Sequence, residues 1–251
     1  MKRPSTSGST RLPVKQQRTE IQSFVPSFNS LLDAFNYVCR IFPSESFSPP
    51  IPPFVLKNQL YALSCSRTHV DKELNELVSA GTLRTLRLFD DEFSVVIMFT
   101  SDYERSLYLN ETTLSKELIN KFTEYIRKTS PPLNVTYDSV RNLFTDKDIS
   151  TLIQVGILTI RSPCSWWLSS PQLGRFISSY KTGLRKLKDV FLRARLKELL
   201  LSDLLRRDWK KKASLGPLYI LLDQLGSGAI TNSYRLVTFP CFCVPLPVKS
   251  N

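Results

Sequence analysis

One phrase in this chain occurs three times, and it constrains the fold more than any other feature. In DISTLIQVGILTIRSPCSWWL, residues 148–168, the residues Ile149, Leu152, Ile153 and Val155 make an apolar helical stripe that Gly156 closes. A strand-prone run, ILTIR, then meets SWWL across a Ser-Pro turn. ELNELVSAGTLRTLRLF repeats that order around Gly81, and LYILLDQLGSGAITNSYRLVTF repeats it around Gly226 or Gly228. The steps are 75 residues from Gly81 to Gly156 and 72 from Gly156 to Gly228. A fixed period marks internal repetition, and a repeat this long can hold its own small core. Helix, glycine, strand, turn and strand is the second half of a winged helix. The expected fold is α+β, mostly α: three tandem winged helices packed together.

The boundaries follow from composition. Residues 1–26 are rich in Ser, Thr, Pro and charge and read as a disordered basic tail. Within it, Lys2-Arg3 and the later Lys15 and Arg18 are spaced either as a two-part nuclear import signal or as a solvated tail. The first winged helix is assigned to 27–103, the second to 104–170, the third to 171–245, and a short tail to 246–251. NSLLDAFNYVCRIF, VLKNQLYAL and HVDKELNELVSA are the helices expected of the first unit, with Thr68 and Asp71 as a capping pair for the last. TLRTLRLF and FSVVIMFT form its hairpin across the acidic turn Asp90-Asp91-Glu92. In the second unit, TLSKELINKFTEYIRKT and VTYDSVRNLF precede the phrase around Gly156. In the third, the stripe Phe176, Tyr180, Leu184, Leu187 and Phe191 marks a long helix, which loses phase at Glu198. A new helix is therefore expected over KELLLSDLLRR, and Pro217 opens the last one. Trp166 and Trp167 are neighbours on a strand and point to opposite faces, one to the core and the other to a domain interface or an exposed partner site.

Charge is concentrated rather than spread. The chain carries +12 overall, and residues 172–215 hold thirteen bases against four acids. A polyanion is the natural partner for that stretch. On the long helix, Arg175, Lys186, Arg193 and Lys197 fall on one flank of the apolar stripe, and Lys181, Arg185, Lys188 and Arg195 fall on the other. Arg206, Arg207, Lys210, Lys211 and Lys212 follow, with Trp209 among them. A solvated helix face is the alternative, but four acids are too few to pair thirteen bases along the helix. Base readout by any third helix is not expected. His69–Ala80 offers Lys72 and Asn75 among Asp71, Glu73 and Glu76; the second helix starts Asp146-Lys147-Asp148; the third is nearly all apolar.

PPFVLKNQLYAL, the SRT at 66–68, GILTIRSPCSWWLSSPQLGRFI and LKELLLSDLL together resemble the family of inactive serine/threonine-protein kinase 19 over roughly residues 45–230. The resemblance implies a nuclear, DNA-binding, tandem winged-helix protein of transcription-coupled nucleotide excision repair. The Cockayne syndrome group A protein, the TFIIH helicase and stalled RNA polymerase II are its implied partners. It carries a DNA role to Arg67, Arg195, Lys197 and Arg207, where the local motifs match. The N-terminal basic block is thinner than in the family, and CFCVPLPVKSN has no counterpart in it.

Catalysis is not expected. Phosphoryl transfer needs a Gly-rich phosphate loop, a His-Arg-Asp loop and a metal-binding Asp-Phe-Gly. The eight glycines never spell GxGxxG, and the single histidine, His69, is followed by Val70 and Asp71. The five cysteines are scattered with no CxxC pair, so no metal site and no cofactor are expected, and the thiols read as reduced and intracellular. No run approaches the roughly 18 apolar residues of a membrane span. MKRPSTSGSTR lacks the apolar core of a secretory signal. The expected function is a non-catalytic bridge that meets duplex DNA through phosphates, irrespective of sequence, with RNA and a second copy of the chain as further partners. The expected DNA contacts are Arg67, Lys72, Arg175, Lys181, Lys186, Arg193, Arg195, Lys197, Arg206, Arg207, Lys210, Lys211 and Lys212. The rival is a protein–protein adaptor of winged-helix type without direct DNA binding.

Overall fold

A computed structural model describes residues 26–88, 94–109, 114–129, 134–194, 198–207, 209, 214–233 and 241–243. Most of the expected N-terminal tail, the acidic turn Asp90–Glu92, the basic residues Arg195, Lys197, Lys210, Lys211 and Lys212, and the tail 246–251 lie outside them. The described residues are α+β, mostly helical, with small antiparallel sheets. The elements run α1 (Leu31–Ile41), β1 (Val55–Leu56), α2 (Lys57–Ala62), α3 (Arg67–Ser79), β2 (Leu83–Arg87) and β3 (Val95–Phe99), then α4 (Thr100–Tyr108). Next come α5 (Lys116–Thr129), β4 (Asn134–Thr136), α6 (Tyr137–Val140), α7 (Asp146–Val155), β5 (Leu158–Ser162) and β6 (Ser165–Leu168). The last set is α8 (Leu173–Arg193), β7 (Glu198–Leu200), α9 (Leu201–Arg206), α10 (Pro217–Ser227), β8 (Thr231–Ser233) and β9 (Cys241–Cys243).

Three separate three-stranded sheets result, ordered β1-β3-β2, β4-β6-β5 and β7-β9-β8. Each follows one plan: a strand after the first helix pairs with the last strand, which pairs with the middle one. Sequence periodicity missed the leading strands. Val55–Leu56, Asn134–Thr136 and Glu198–Leu200 are two or three residues long, too short to show alternation. Helices were expected over the segments that hold them, so KELLLSDLLRR divides into β7 and α9 rather than forming one helix. Periodicity missed α4 as well, which runs across position 103/104. Ser66, not the Thr68–Asp71 pair, caps α3, its Oγ accepting from the His69 amide at 3.4 Å.

The glycines behave as their placement requires. Gly156 ends α7 at φ 86° and Gly228 ends α10 at φ 80°, the left-handed conformation that costs a side-chain-bearing residue strain. Gly81, one residue beyond the α3 cap, has φ 75°. Gly226 has a different task. A Cβ there would lie 1.7 Å from the Asn58 carbonyl oxygen, because α10 packs backbone to backbone on α2.

That packing joins the two ends of the chain. Phe42, Phe54, Phe176 and Tyr219 form a ring cluster with centroids 5.2–6.4 Å apart, drawn from the first and last sets of elements. Polar bonds fix its register. Gln59 Nε2 donates to the Tyr219 carbonyl at 2.8 Å, and Tyr219 OH donates to the Phe54 carbonyl at 2.6 Å. Asp223 accepts from Tyr180 OH, Gln224 Nε2 and Asn58 Nδ2 at 2.5, 2.8 and 3.2 Å. The middle set joins the first through Tyr103 OH to the Ser169 carbonyl (3.0 Å), Arg84 Nη2 to the Ile126 carbonyl (3.2 Å), and Arg127 clamped on Glu104 (2.7 and 2.5 Å). Trp166 and Trp167 differ from expectation, since neither is fully buried. Trp166 packs on the core beside Tyr137, while Arg87 and Arg161 lie 4.2 and 4.4 Å from the Trp167 ring centre. Arg87 comes from β2 and Arg161 from β5, so Trp167 occupies the interface its strand position allowed.

Two outcomes follow from the α2–α10 contact. Gly226→Ala should destabilise the protein by at least about 2–3 kcal/mol, because backbone must give way. Gly174→Ala, where nothing lies within 4 Å, should instead stabilise α8 by about 0.5–1 kcal/mol. Urea titration of both variants checks this pair. Asp223 supplies a pH dependence. Burial raises its pKa above the ordinary carboxyl value, against the opposing bonds from Tyr180, Gln224 and Asn58. The proton it binds in the fold stabilises most below the unfolded value of about 4, and that contribution is lost as pH rises through the raised folded value. The wild type should therefore gain melting temperature relative to Asp223→Asn as pH falls from 7 toward 4. Thermal melts of both proteins across that range measure it.

Candidate nucleic-acid interface

The helix that precedes each hairpin is the one that could enter a groove; α10 is buried, while α3 and α7 expose polar residues with acids among them. On α3, Lys72 lies 4.0 Å from Glu76 and His69 lies 3.7 Å from Glu73. Asp71 accepts from Tyr61 OH at 2.6 Å and pairs with Lys57 at 2.8 Å. Lys57 and Tyr61 hold the Asp71 carboxyl below its usual range against the opposing effect of burial, so it stays an anion. On α7, Asp148 closes a reciprocal cap with Thr145, at 3.0 and 3.2 Å. The Thr145 amide lowers the Asp148 pKa, and a carboxylate therefore sits where a phosphate would meet the helix N-terminus. On α10, Tyr219 to Gln224 and Gly226 are all buried. The apolar composition of that helix reflects its burial against α2, and it has no free face for a groove.

The basic helix α8 is built differently. Leu173, Phe176, Tyr180, Leu187 and Phe191 bury one face. The two basic flanks differ in their surroundings. Arg175 is half-buried, its Nη2 donating to the Pro49 carbonyl at 2.7 Å at the surface, and Lys186 lies 4.9 Å from the centre of the buried Trp209 ring. Ser178, Lys181, Arg185, Lys188 and Arg193 are exposed, and so are Asp189 and Leu192 beside them. The 181, 185 and 188 positions recur at steps of four and three, so these three cations form one outward stripe. Arg185 also bonds along its own helix, to the Lys181 carbonyl and Thr182 Oγ1 at 3.4 and 3.5 Å. Arg206 and Arg207 are exposed at the end of α9.

Arg67 is also engaged within the fold. Its Nη2 donates to the Gly226 carbonyl at 2.6 Å while the guanidinium lies 5.2 Å from the Tyr61 ring centre. Of the expected set, the structure brings Lys181 together with Arg185 and Lys188, and leaves Lys72 apart on α3. Arg185 and Lys188 stood on the expected flank but not in the expected contact set. Their step of three, continuing Lys181 by four, was the available signal. Arg87 and Arg161 around Trp167 gave none, because their meeting joins two sheets distant in sequence.

Among the described residues no group of three or more His, Cys, Asp or Glu side chains could hold a metal ion. None of their helices is long and apolar enough to cross a membrane. Cys39, Cys65 and Cys164 are free thiols, and burial pushes the Cys39 pKa up to about 12.

The chain is similar to known proteins over most of its length. Residues 40–230 match the family described as inactive serine-threonine protein kinase 19. Winged helix repair factor 1 of Xenopus laevis is 32% identical over 200 residues, covering 78% of this chain and 77% of the relative. The Homo sapiens protein of that name is 32% identical over 214 residues, covering 82% and 84%. The Mus musculus protein is 31% identical over 218 residues, covering 84% and 86%.

The placement of Arg67 makes a separable outcome. Arg67→Ala should cost roughly 1–2 kcal/mol of stability by leaving the Gly226 carbonyl unpaired. Its effect on duplex DNA affinity should be within twofold. A melt and a fluorescence titration of the same variant check both halves.

Proposed function

The chain belongs to the inactive serine-threonine protein kinase 19 family, and we propose that it is a non-catalytic, nuclear DNA-repair protein made of three winged-helix units. The repeated sheet order and the glycine-ended helices before each hairpin support the threefold reading. The relatives' printed name supports both the winged helix and the repair role. The family's description as inactive accords with a chain that lacks the phosphate loop and the catalytic loop of a kinase.

The outward stripe of Lys181, Arg185 and Lys188 on α8 is the observation that carries the binding mode. Exposed cations at helical spacing neutralise phosphates and release counterions, whereas base readout needs a polar helix face in the major groove. α10 has no free face, and the exposed faces of α3 and α7 mix acids with their polar groups (Glu76 with Lys72 and Asn75, Asp146 with Lys147, Ser150 and Gln154), so DNA is held by its backbone and without sequence preference. Arg193, Arg206 and Arg207 extend the basic surface, and Arg195, Lys197, Lys210, Lys211 and Lys212 add charge in the same stretch of sequence. The first two units carry protein contacts. In this reading the chain bridges DNA to transcription-coupled repair, with TFIIH, the Cockayne syndrome group A protein and RNA polymerase II as its partners.

Replacing Lys181, Arg185 and Lys188 together by Ala should lower duplex affinity equally on every sequence. It should also reduce the slope of log affinity against log salt by about 3, near 0.9 per lost phosphate contact. The fold should persist, since all three side chains are exposed. Titration of labelled duplexes at several salt concentrations decides the matter. Unchanged affinity and slope would remove the DNA reading and leave protein contacts alone.

A further inference from the structure

A cleft of about 480 Å³ lies where the first and middle sets of elements meet, lined in part by Thr82, Arg84, Thr100, Ser101, Glu104 and Arg127. Its most unusual member is Arg84 on β2. The side chain is 1% exposed, and only Nη2 is bonded, to the Ile126 carbonyl. Nε and Nη1 are buried with no partner, and so is Oγ1 of Thr100. Burial lowers the Arg84 pKa while Tyr103 and Glu104 oppose the shift, so the guanidinium is poorly compensated. A buried cation with idle donors is costly unless an anion meets it. The N-terminus of α4 opens beside it at Thr100 and Ser101; the Thr100 amide donates to the Thr82 carbonyl at 3.1 Å, and Asp102 in the first turn, 3.4 Å from Arg105, offsets part of the helix potential. At the rim, Glu104 is held by Arg127, so two guanidiniums and one carboxylate leave the cleft net positive.

We propose that this cleft is an oxyanion site for a phosphomonoester-type group. Three unpartnered donor atoms, Nε and Nη1 of Arg84 and Oγ1 of Thr100, carry four hydrogens between them, which the three terminal oxygens of a monoester can accept more fully than the two of a backbone diester. The site therefore differs in chemistry from the α8 stripe and does not depend on the DNA reading. Inorganic phosphate and a phosphoryl group on a larger molecule share this chemistry.

Thermal unfolding of the full chain with phosphate, phenyl phosphate or dimethyl phosphate, each against chloride at equal ionic strength, tests it. At a concentration tenfold above the dissociation constant, phosphate or the monoester should raise the melting temperature by about 3–5 °C. Dimethyl phosphate should add nothing beyond the chloride control. Comparing phenyl phosphate with inorganic phosphate separates the two sources: an esterified group is favoured if the phenyl ester binds at least as tightly, free phosphate if it binds more weakly. The increment should vanish in Arg84→Met and shrink in Thr100→Val and Arg127→Gln. If Arg84→Met fails to fold, the other two variants still read the site, because Arg127 is exposed and Thr100 loses only a hydroxyl. The Lys181, Arg185 and Lys188 triple Ala variant should keep the increment. Absence of any shift over chloride, an equal response in Thr100→Val and Arg127→Gln, or loss of the shift in the α8 variant would each overturn the assignment.

Discussion

The contact on which this molecule depends is the backbone approach of α10 to α2 at Gly226. It is possible only because position 226 has no side chain, and the apolar composition of α10 follows from it. Around that approach the ring cluster of Phe42, Phe54, Phe176 and Tyr219 supplies burial. The bonds of Gln59, Tyr219 and Asp223 supply register, since a shifted α10 would leave buried polar atoms unpaired. The same contact removes a helix from any part in reading DNA. With α10 spent on α2, the longest helix left with an exposed face is the basic one, α8.

In the proposed reading, function and architecture meet on α8. Its buried face ties it to the ring cluster, and its exposed face carries the stripe. Arg175 and Lys186 show how burial divides a charge run. A guanidinium that satisfies the Pro49 carbonyl and an ammonium beside the Trp209 indole hold the structure together, while cations a few residues away stay in solvent. Counting bases along the sequence treats all of them alike.

That limit explains what was legible in the sequence and what was not. The glycine period, the helices before each hairpin, the separate sheets and the basic concentration over 172–215 could all be read, because each depends on local pattern. The leading strands could not, since two or three residues carry no period and β1, β4 and β7 exist only through pairing with strands far along the chain. Nor could α4, whose apolar contacts are made with neighbouring elements rather than repeated along its own length. At the site, the flanks of α8 were visible as spacing, but which of them packs was decided by Pro49 and Trp209. The Arg67 bond to Gly226 lies across 159 residues of sequence, beyond any local pattern.

The same long reach has a consequence for how the chain is made. The Gln59 bond to Tyr219 closes over 160 residues, so α2 leaves the ribosome well before the helix that covers it exists. At synthesis rates of about 5–20 residues per second, that interval is roughly 10–30 seconds. Through it the apolar underside of the first unit, including Phe42 and Phe54, must wait uncovered. A nascent chain of this protein should therefore present a sticky surface to chaperones until its last quarter emerges, and truncation before α10 would leave that surface open for good.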